Sequence, residues 1–276
     1  MLMDMSSNFN IKKVKRSATL GQVESHMHPF NEMFYLLSGE CTAFIGHNIY
    51  KFKRGDFVIV PAGMLHKTNY NGPGVHERVI ISFRNDVTDW ISSVVGTDIV
   101  SECMQTGTIS IPEKRQDYVE WLLNKLLYEK DEPDSLSAGF IRVGLVELIL
   151  FIMRCKKYEE NVIKEIDADN ILMQEIATYM YEHFSEKITL DDMAKKFSMS
   201  RSYLSKKFKA STGFGFKEYL INVRIKNACT LLLQTNKSIT DIAFECGFND
   251  SNYFGDAFRH IKGISPNKYR KNKEAI

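Results

Sequence analysis

From about residue 10 to 110 the apolar positions gather in short runs of β-branched and aromatic side chains. Phe34-Tyr35-Leu36-Leu37, Thr42-Ala43-Phe44-Ile45, Phe57-Val58-Ile59-Val60 and Val79-Ile80-Ile81-Ser82-Phe83 are of this kind. Between them stand turn-forming segments: Ser38-Gly39, Gly46-His47-Asn48, Arg54-Gly55-Asp56 and Asn71-Gly72-Pro73-Gly74. Short strands so closely spaced predict an antiparallel β-barrel or sandwich. The period then changes. Over Gln116–Lys130, Val119, Leu122, Leu123, Leu126 and Leu127 recur at helical spacing. A second helix over Leu136–Tyr158 is apolar nearly all round, which predicts burial, either beneath its own strands or in a subunit interface. Lys156–Asp169 is charged and weakly periodic and reads as a domain join. From Ile171 onward the pattern is one of consecutive helices with short breaks. The expected class is α+β and multidomain. Residues 1–112 form a strand domain, 113–165 a helical dimerisation or linker region, and 166–276 an all-α domain.

Charge sharpens this division. The 276 residues carry a net charge of only +2. Residues 1–169 hold 19 Lys and Arg against 23 Asp and Glu, whereas residues 170–276 hold 17 against 11. A basic last third points to an anionic partner such as nucleic acid. The basic run Lys12-Lys13 and Lys15-Arg16 reads as solvated surface. The five cysteines are far apart and form no Cys-x-x-Cys pair, which argues against a disulfide framework or a thiolate zinc site. Met1-Leu2-Met3-Asp4-Met5 lacks the basic stretch and apolar core of a signal peptide. The longest apolar run, near Val143–Met153, contains Glu147 and is too short to span a bilayer. A cytoplasmic location, away from membrane, is expected.

The most informative feature is a repeat at a shift of about 49 residues. Leu190 and Ala194 correspond to Ile239 and Ala243, Ser198-Met199 to Gly247-Phe248, and Tyr203-Leu204 to Tyr253-Phe254. Phe208-Lys209, Gly213 and Tyr219 correspond to Phe258-Arg259, Gly263 and Tyr269. Each copy opens with a capping box, Thr189-x-x-Asp192 or Ser238-x-x-Asp241. The alanines allow two helices to cross closely, and the small turn residues permit tight backbone geometry. Each copy therefore reads as a helix-turn-helix, whose second helix enters a major groove. Two copies with basic faces at matching places weigh against helical hairpins that merely pack together. The first recognition helix presents Ser200, Arg201, Ser202, Ser205, Lys206 and Lys209. The second presents Asn249, Asp250, Ser251, Asn252, Asp256 and Arg259, is less basic, and is expected to bind more weakly. Long cations suit phosphates; Ser202, Ser205 and Asn252 suit base edges. Arg224 on the connecting helix and Arg270 are further phosphate candidates.

Ser-Tyr-Leu-Ser-Lys-Lys-Phe-Lys at 202–209, Arg-Ile-Lys-Asn-Ala at 224–228, Ile-Thr-Asp-Ile-Ala-Phe-Glu-Cys-Gly-Phe at 239–248 and Gly-Ile-Ser-Pro-Asn-Lys-Tyr-Arg at 263–270 resemble the DNA-binding domain of AraC/XylS-type transcription regulators. The resemblance implies two helix-turn-helix units docking in successive major-groove segments of one DNA face. One departure is Asp256, where the family usually has a basic residue.

In the strand half, His26-x-His28, Glu32, Gly39, Gly55, Pro61-x-Gly63 and His66 form a second constellation. Alternate residues of a strand face one way, so His26 and His28 can converge, joined by Glu32 and by His66 from another hairpin. Such a set suits an open site for a divalent transition metal, or polar groups lining an effector pocket. The pattern resembles the two cupin motifs, with Tyr70 where the second often ends in Asn. Cupin domains are common sensors in AraC-type regulators. The resemblance implies an activator, not an enzyme, that binds promoter DNA as a homodimer, responds to a small effector such as a sugar, and works with RNA polymerase. A metal-dependent cupin enzyme, an isomerase or dioxygenase with an appended DNA-binding domain, is the rival reading. A constitutive DNA-binding protein with an inert barrel is a third.

Overall fold

The structure is a computed structural model that describes residues 8–17, 27–71, 74–105, 107–159 and 168–271. It divides into two packed units, Met1–Ile45 with Tyr50–Glu165, and Gly46–Ile49 with Ile166–Ile276.

The first unit holds, save for the first two residues of β4, strands β1 (Phe9–Ser17), β2 (Asn31–Ser38), β3 (Glu40–Ile45), β4 (Asn48–Lys53), β5 (Asp56–Val60), β6 (His66–Asn71), β7 (Val75–Phe83) and β8 (Gly107–Ser110). Helices α1 (Asn85–Val95) and α2 (Thr97–Cys103) precede β8; α3 (Glu113–Asp131) and α4 (Ser137–Glu159) follow it. The strands form a five-stranded sheet, β1-β7-β2-β5-β8, and a three-stranded sheet, β4-β3-β6. Among the described residues the pairing gives two sheets and does not close into the expected barrel. In the large sheet Leu36 lies opposite Arg78, Phe34 opposite Ile80, and Glu32 opposite both Ser82 and Val60.

Strand alternation sorts the side chains of this sheet into two cores. Phe34, Leu36, Val58, Val60 and Ile80 meet Cys41, Ala43, Ile45 and Phe52 of the small sheet. Met33, Tyr35, Phe57, Ile59, Val79 and Ile81 pack on the other side with Val119, Leu122 and Leu126 of α3 and Leu145, Leu148 and Ile152 of α4. A sheet covered on both faces needs apolar residues at successive positions, which is why its strands read as unbroken apolar runs. It also places α3 and α4 in the same core as the strands. Lys13 and Lys15 stand on edge strand β1, where both reach Glu77, at 3.1 and 3.5 Å. Charge on an edge discourages pairing with a foreign strand.

On the outer side of α3, Tyr118, Trp121 and Tyr128 are exposed; on α4, Phe140, Val143 and Leu150 are exposed. Their separations of three and seven residues put each set on one helix face. Lys125 lies over the rings of both Trp121 and Phe140, and the Tyr118 hydroxyl bonds to Glu147.

The second unit contains α5 (Ala168–Glu182), α6 (Leu190–Lys196), α7 (Arg201–Thr212), α8 (Phe216–Gln234), α9 (Ile239–Glu245), α10 (Ser251–Lys262) and α11 (Pro266–Lys271). The repeat is visible in its caps. Thr189 Oγ1 accepts from the Asp192 amide at 3.2 Å, and Ser238 Oγ from the Asp241 amide at 3.0 Å. The reciprocal half of each box differs from expectation. Each cap hydroxyl donates to the acid, at 2.6 Å in both copies, so the carboxylate takes the side-chain proton and not the cap amide. Ala194 and Ala243 are buried at the helix crossings. The turns that follow have positive φ, +55° at Ser198 and +81° at Gly247. Leu204 and Phe208 of α7, and Phe254 and Phe258 of α10, are fully buried, which fixes the outward face of each helix.

No helix among the described residues is long and apolar enough to cross a membrane. All five cysteines are buried and free of disulfides.

Candidate nucleic-acid interface and effector site

On α7, Arg201, Ser202, Ser205, Lys206 and Lys209 are exposed, one turn apart on the side opposite Leu204 and Phe208. Ser200 precedes them as the N-cap, accepting from the Tyr203 amide at 3.2 Å. Arg201 also lies 3.6 Å from Asp191. On α10, Asn252, Asp256 and Arg259 are exposed and Ser251 is half-buried, with exposed Asn249 and Asp250 leading in. Asp250 caps α10 by accepting from the Tyr253 amide at 2.7 Å, and Arg259 sits 3.8 Å from Asp256. Ser200 and Asp250 thus each hold a helix start in place, whatever else they touch. Tyr203 and Tyr253, exposed at equivalent positions, were not singled out from sequence, although the repeat alignment pairs them.

Arg224 and Arg270 are placed differently. Arg224 Nε donates to the Phe184 carbonyl and Nη2 to the Glu186 carbonyl, both at 2.8 Å, while its guanidinium covers the Phe248 ring. Arg270 Nη2 donates to the Lys237 carbonyl at 2.6 Å. Both fasten loops that precede a helix-turn-helix. Sequence supplies the cation but not its partner.

In the first unit, His28, Glu32 and His66 come together, their ligating atoms all within 4.8 Å of one another. His28 enters just before β2, Glu32 lies on β2, and His66 opens β6. The Gly63 amide donates to the His28 carbonyl at 2.8 Å and the Ala62 amide to Asn31 Oδ1 at 3.0 Å, tying the turn before β6 to the segment before β2. Each imidazole is oriented by its far nitrogen. His28 Nδ1 is 2.8 Å from the Phe30 carbonyl and His66 Nδ1 is 3.0 Å from the Met64 carbonyl. A carbonyl only accepts, so both Nδ1 atoms carry the proton, and a neutral ring then presents its lone pair at Nε2. Those Nε2 atoms lie 3.6 and 3.9 Å from the two oxygens of Glu32. Burial pushes the Glu32 carboxyl up, but contact with His28 and the nearby charges of His66, His28 and Arg78 outweigh it and hold the group below its ordinary range. His26 lies outside the described residues.

Farther along the same interior stand Arg78, His76 and Tyr70, which sequence reading did not assign to a site. Arg78 is buried, with its guanidinium 4.8 Å from the Phe34 ring centre and 5.6 Å from that of Tyr70. Strand alternation back from Ile80 through Arg78 to His76 is the signal that would have found them. A separate cavity of about 670 Å³ opens near Phe30, Arg84, Lys130 and Ser137, and does not reach Glu32, His66 or Arg78.

Comparison with known proteins finds both domains. A helix-turn-helix domain family model matches residues 193–272, and a cupin domain model matches residues 19–78. The chain is similar to the HTH-type transcriptional activator RhaR of Mannheimia succiniciproducens, 22% identical over 89% of this chain and 86% of that protein. It is 30% identical over 57% of its length to the HTH-type transcriptional activator RhaS of an Escherichia coli O1:K1 strain, where the match spans 55% of the relative, about half its length. Among solved structures, the C-terminal domain of AraT, a response regulator from Geobacillus stearothermophilus, is 34% identical over 37% of this chain and 84% of that one, with a TM-score of 0.36. With paired helix-turn-helix units in its last third and a cupin domain before them, the chain is similar to transcription regulators of the AraC/XylS family.

Proposed function

We propose that this protein is a sequence-specific transcription activator that binds promoter DNA through α7 and α10 and takes a small polar effector, of the sugar class, between the two sheets of its cupin domain. The observation that carries the reading is the duplicated unit with capped, outward-facing recognition helices, one of them lined by Lys206, Lys209, Ser202 and Ser205. Cations position a helix on phosphates, and hydroxyls choose among bases. The effector acts only if it binds one arrangement of the protein better than another. Selection of bound sequences from random duplexes is expected to return a bipartite motif, its halves about one helical turn (10–10.5 bp) apart. A single unsplit half-site, or no enrichment, would count against it.

The protein also acts as a homodimer in this reading, with RNA polymerase its partner at the promoter. The aromatic stripe on α3 and α4 supports self-association, because large apolar side chains grouped on one face are costly to leave in water. Trp121→Asp is expected to shift the sedimenting species from dimer to monomer while leaving the circular dichroism unchanged. An unaltered dimer would place the interface elsewhere.

The donors His28, Glu32 and His66, with His26 as the fourth candidate, fit a divalent transition metal, since two oriented imidazoles and a carboxylate already converge. Such an ion would polarise an effector oxygen. Protein purified without chelator is expected to carry about one metal equivalent per chain, and His66→Ala to lose it. Turnover of a sugar or phenol that disappears with the metal would favour the rival enzyme reading.

A further inference from the structure

Among the described residues, the interior between the sheets holds a positive charge with no acid paired to it. Arg78 is 8% exposed, and its one hydrogen bond among the described residues runs from Nη1 to Thr68 Oγ1 at 3.3 Å. Its Nε is buried with no acceptor. Its charge is felt by Glu32, which stands instead against His28 and His66. Beside Arg78 are two more buried polar groups lacking partners. Among the described residues the Tyr70 hydroxyl has none, and neither ring nitrogen of His76 has one, although His76 is only 2% exposed. The Tyr70 and His76 rings lie 5.3 Å apart. Arg16 faces His76 across the β1–β7 pair, and its charge reaches the Tyr70 hydroxyl along with that of Arg78.

Buried polar groups are seldom left unsatisfied, and a cluster of them marks where something polar belongs. Here the cluster has a definite chemistry. A guanidinium presents a planar fork that matches a carboxylate, and with Nη1 on Thr68 the edge formed by Nε and Nη2 remains for one. A phenol and an imidazole both donate and accept, which suits sugar hydroxyls. We propose that the space between the sheets binds a sugar acid, its carboxylate on Arg78 and its neighbouring hydroxyls on Tyr70 and His76. This deepens, and rests on, the reading of the cupin domain as the effector-binding part. The acid supplies the counter-charge that Arg78 lacks, so a neutral sugar of the same shape binds poorly.

Calorimetry on the full chain with D-glucuronate, D-galacturonate and D-gluconate, against D-glucose and D-galactose, tests this. At least one acid is expected to bind and both neutral sugars to bind much more weakly. Arg78→Met should weaken the acid by about 30-fold or more, as expected for losing one partner of a buried charge pair. Tyr70→Phe, a milder change that keeps the ring, should weaken it by about 5-fold. Should Arg78→Met fail to fold, the Tyr70→Phe result decides. Equal binding of neutral sugars, acid affinity indifferent to both substitutions, or silence from all three acids would overturn the assignment. Binding of the same samples to the selected duplex is read separately. Duplex binding beside silent calorimetry sinks the sugar acid alone, whereas acid binding without any duplex binding sinks the regulator reading.

Discussion

Gly247→Ala is expected to destabilise the second unit by about 3 kcal/mol or more and to lower its melting midpoint by about 10 °C or more. The residue has φ +81°, where an L side chain already costs about 1–2 kcal/mol. A Cβ there would also lie 2.7 Å from the Ser185 carbonyl oxygen and 2.8 Å from that of Phe184. Both obstacles are backbone, and Arg224 pins them by its bonds to Phe184 and Glu186. The loop therefore has no easy retreat. The first copy supplies the control. Ser198 occupies the equivalent turn at φ +55° and is exposed. Ser198→Gly should relieve strain and raise stability by about 0.5–1 kcal/mol. Thermal denaturation of both variants checks the pair; an unchanged midpoint for Gly247→Ala would contradict the contact described.

Lys206→Ala with Lys209→Ala is expected to weaken binding to the selected duplex by roughly 50-fold in 0.1 M salt and to flatten the log–log salt dependence by about 1.8. Each lysine neutralising one phosphate releases about 0.9 counterion, and two contacts add. Both side chains are exposed, so the melting midpoint should hold. Arg224→Ala is the informative contrast. Its guanidinium is bonded to two carbonyls, and its loss should lower stability first and affinity only through the loosened loop. A salt slope unchanged in the double variant, measured by mobility shift across a salt series, would remove α7 from the DNA interface.

The paired helix-turn-helix was legible because its evidence is a repeat. Caps, alanines, turn residues and aromatics recur at one spacing, and each has a local physical cause. The large sheet was legible from β2, β5 and β7, whose apolar runs reflect burial on both faces. Strands β1, β4, β6 and β8 were harder. β1 carries Lys12, Lys13, Lys15 and Arg16 on an edge, and β6 reads His-Lys-Thr-Asn-Tyr-Asn. Their polar composition hides a strand whose pairing is set by distant neighbours. Among the site residues, His28, Glu32 and His66 were brought together as the motif suggested. Arg224 and Arg270 could not be resolved from sequence, because a basic residue on a helix looks the same whether it meets a phosphate or a carbonyl. Arg78 was overlooked for the converse reason, since it sits in a strand among aliphatic residues.

The doubly covered sheet also has a mechanical meaning. Along β2 and β5, Phe34, Leu36, Val58 and Val60 touch the interior where Arg78 lies, and their immediate chain neighbours Met33, Tyr35, Phe57 and Ile59 touch the helices α3 and α4. A close-packed layer one residue thick cannot absorb a displacement within itself. A guest that pushed the inner side chains by a fraction of an ångström would therefore press on the outer row and on the helices resting on it. In such a case the sheet would work as a diaphragm, carrying occupancy on one side to the aromatic ridge on the other.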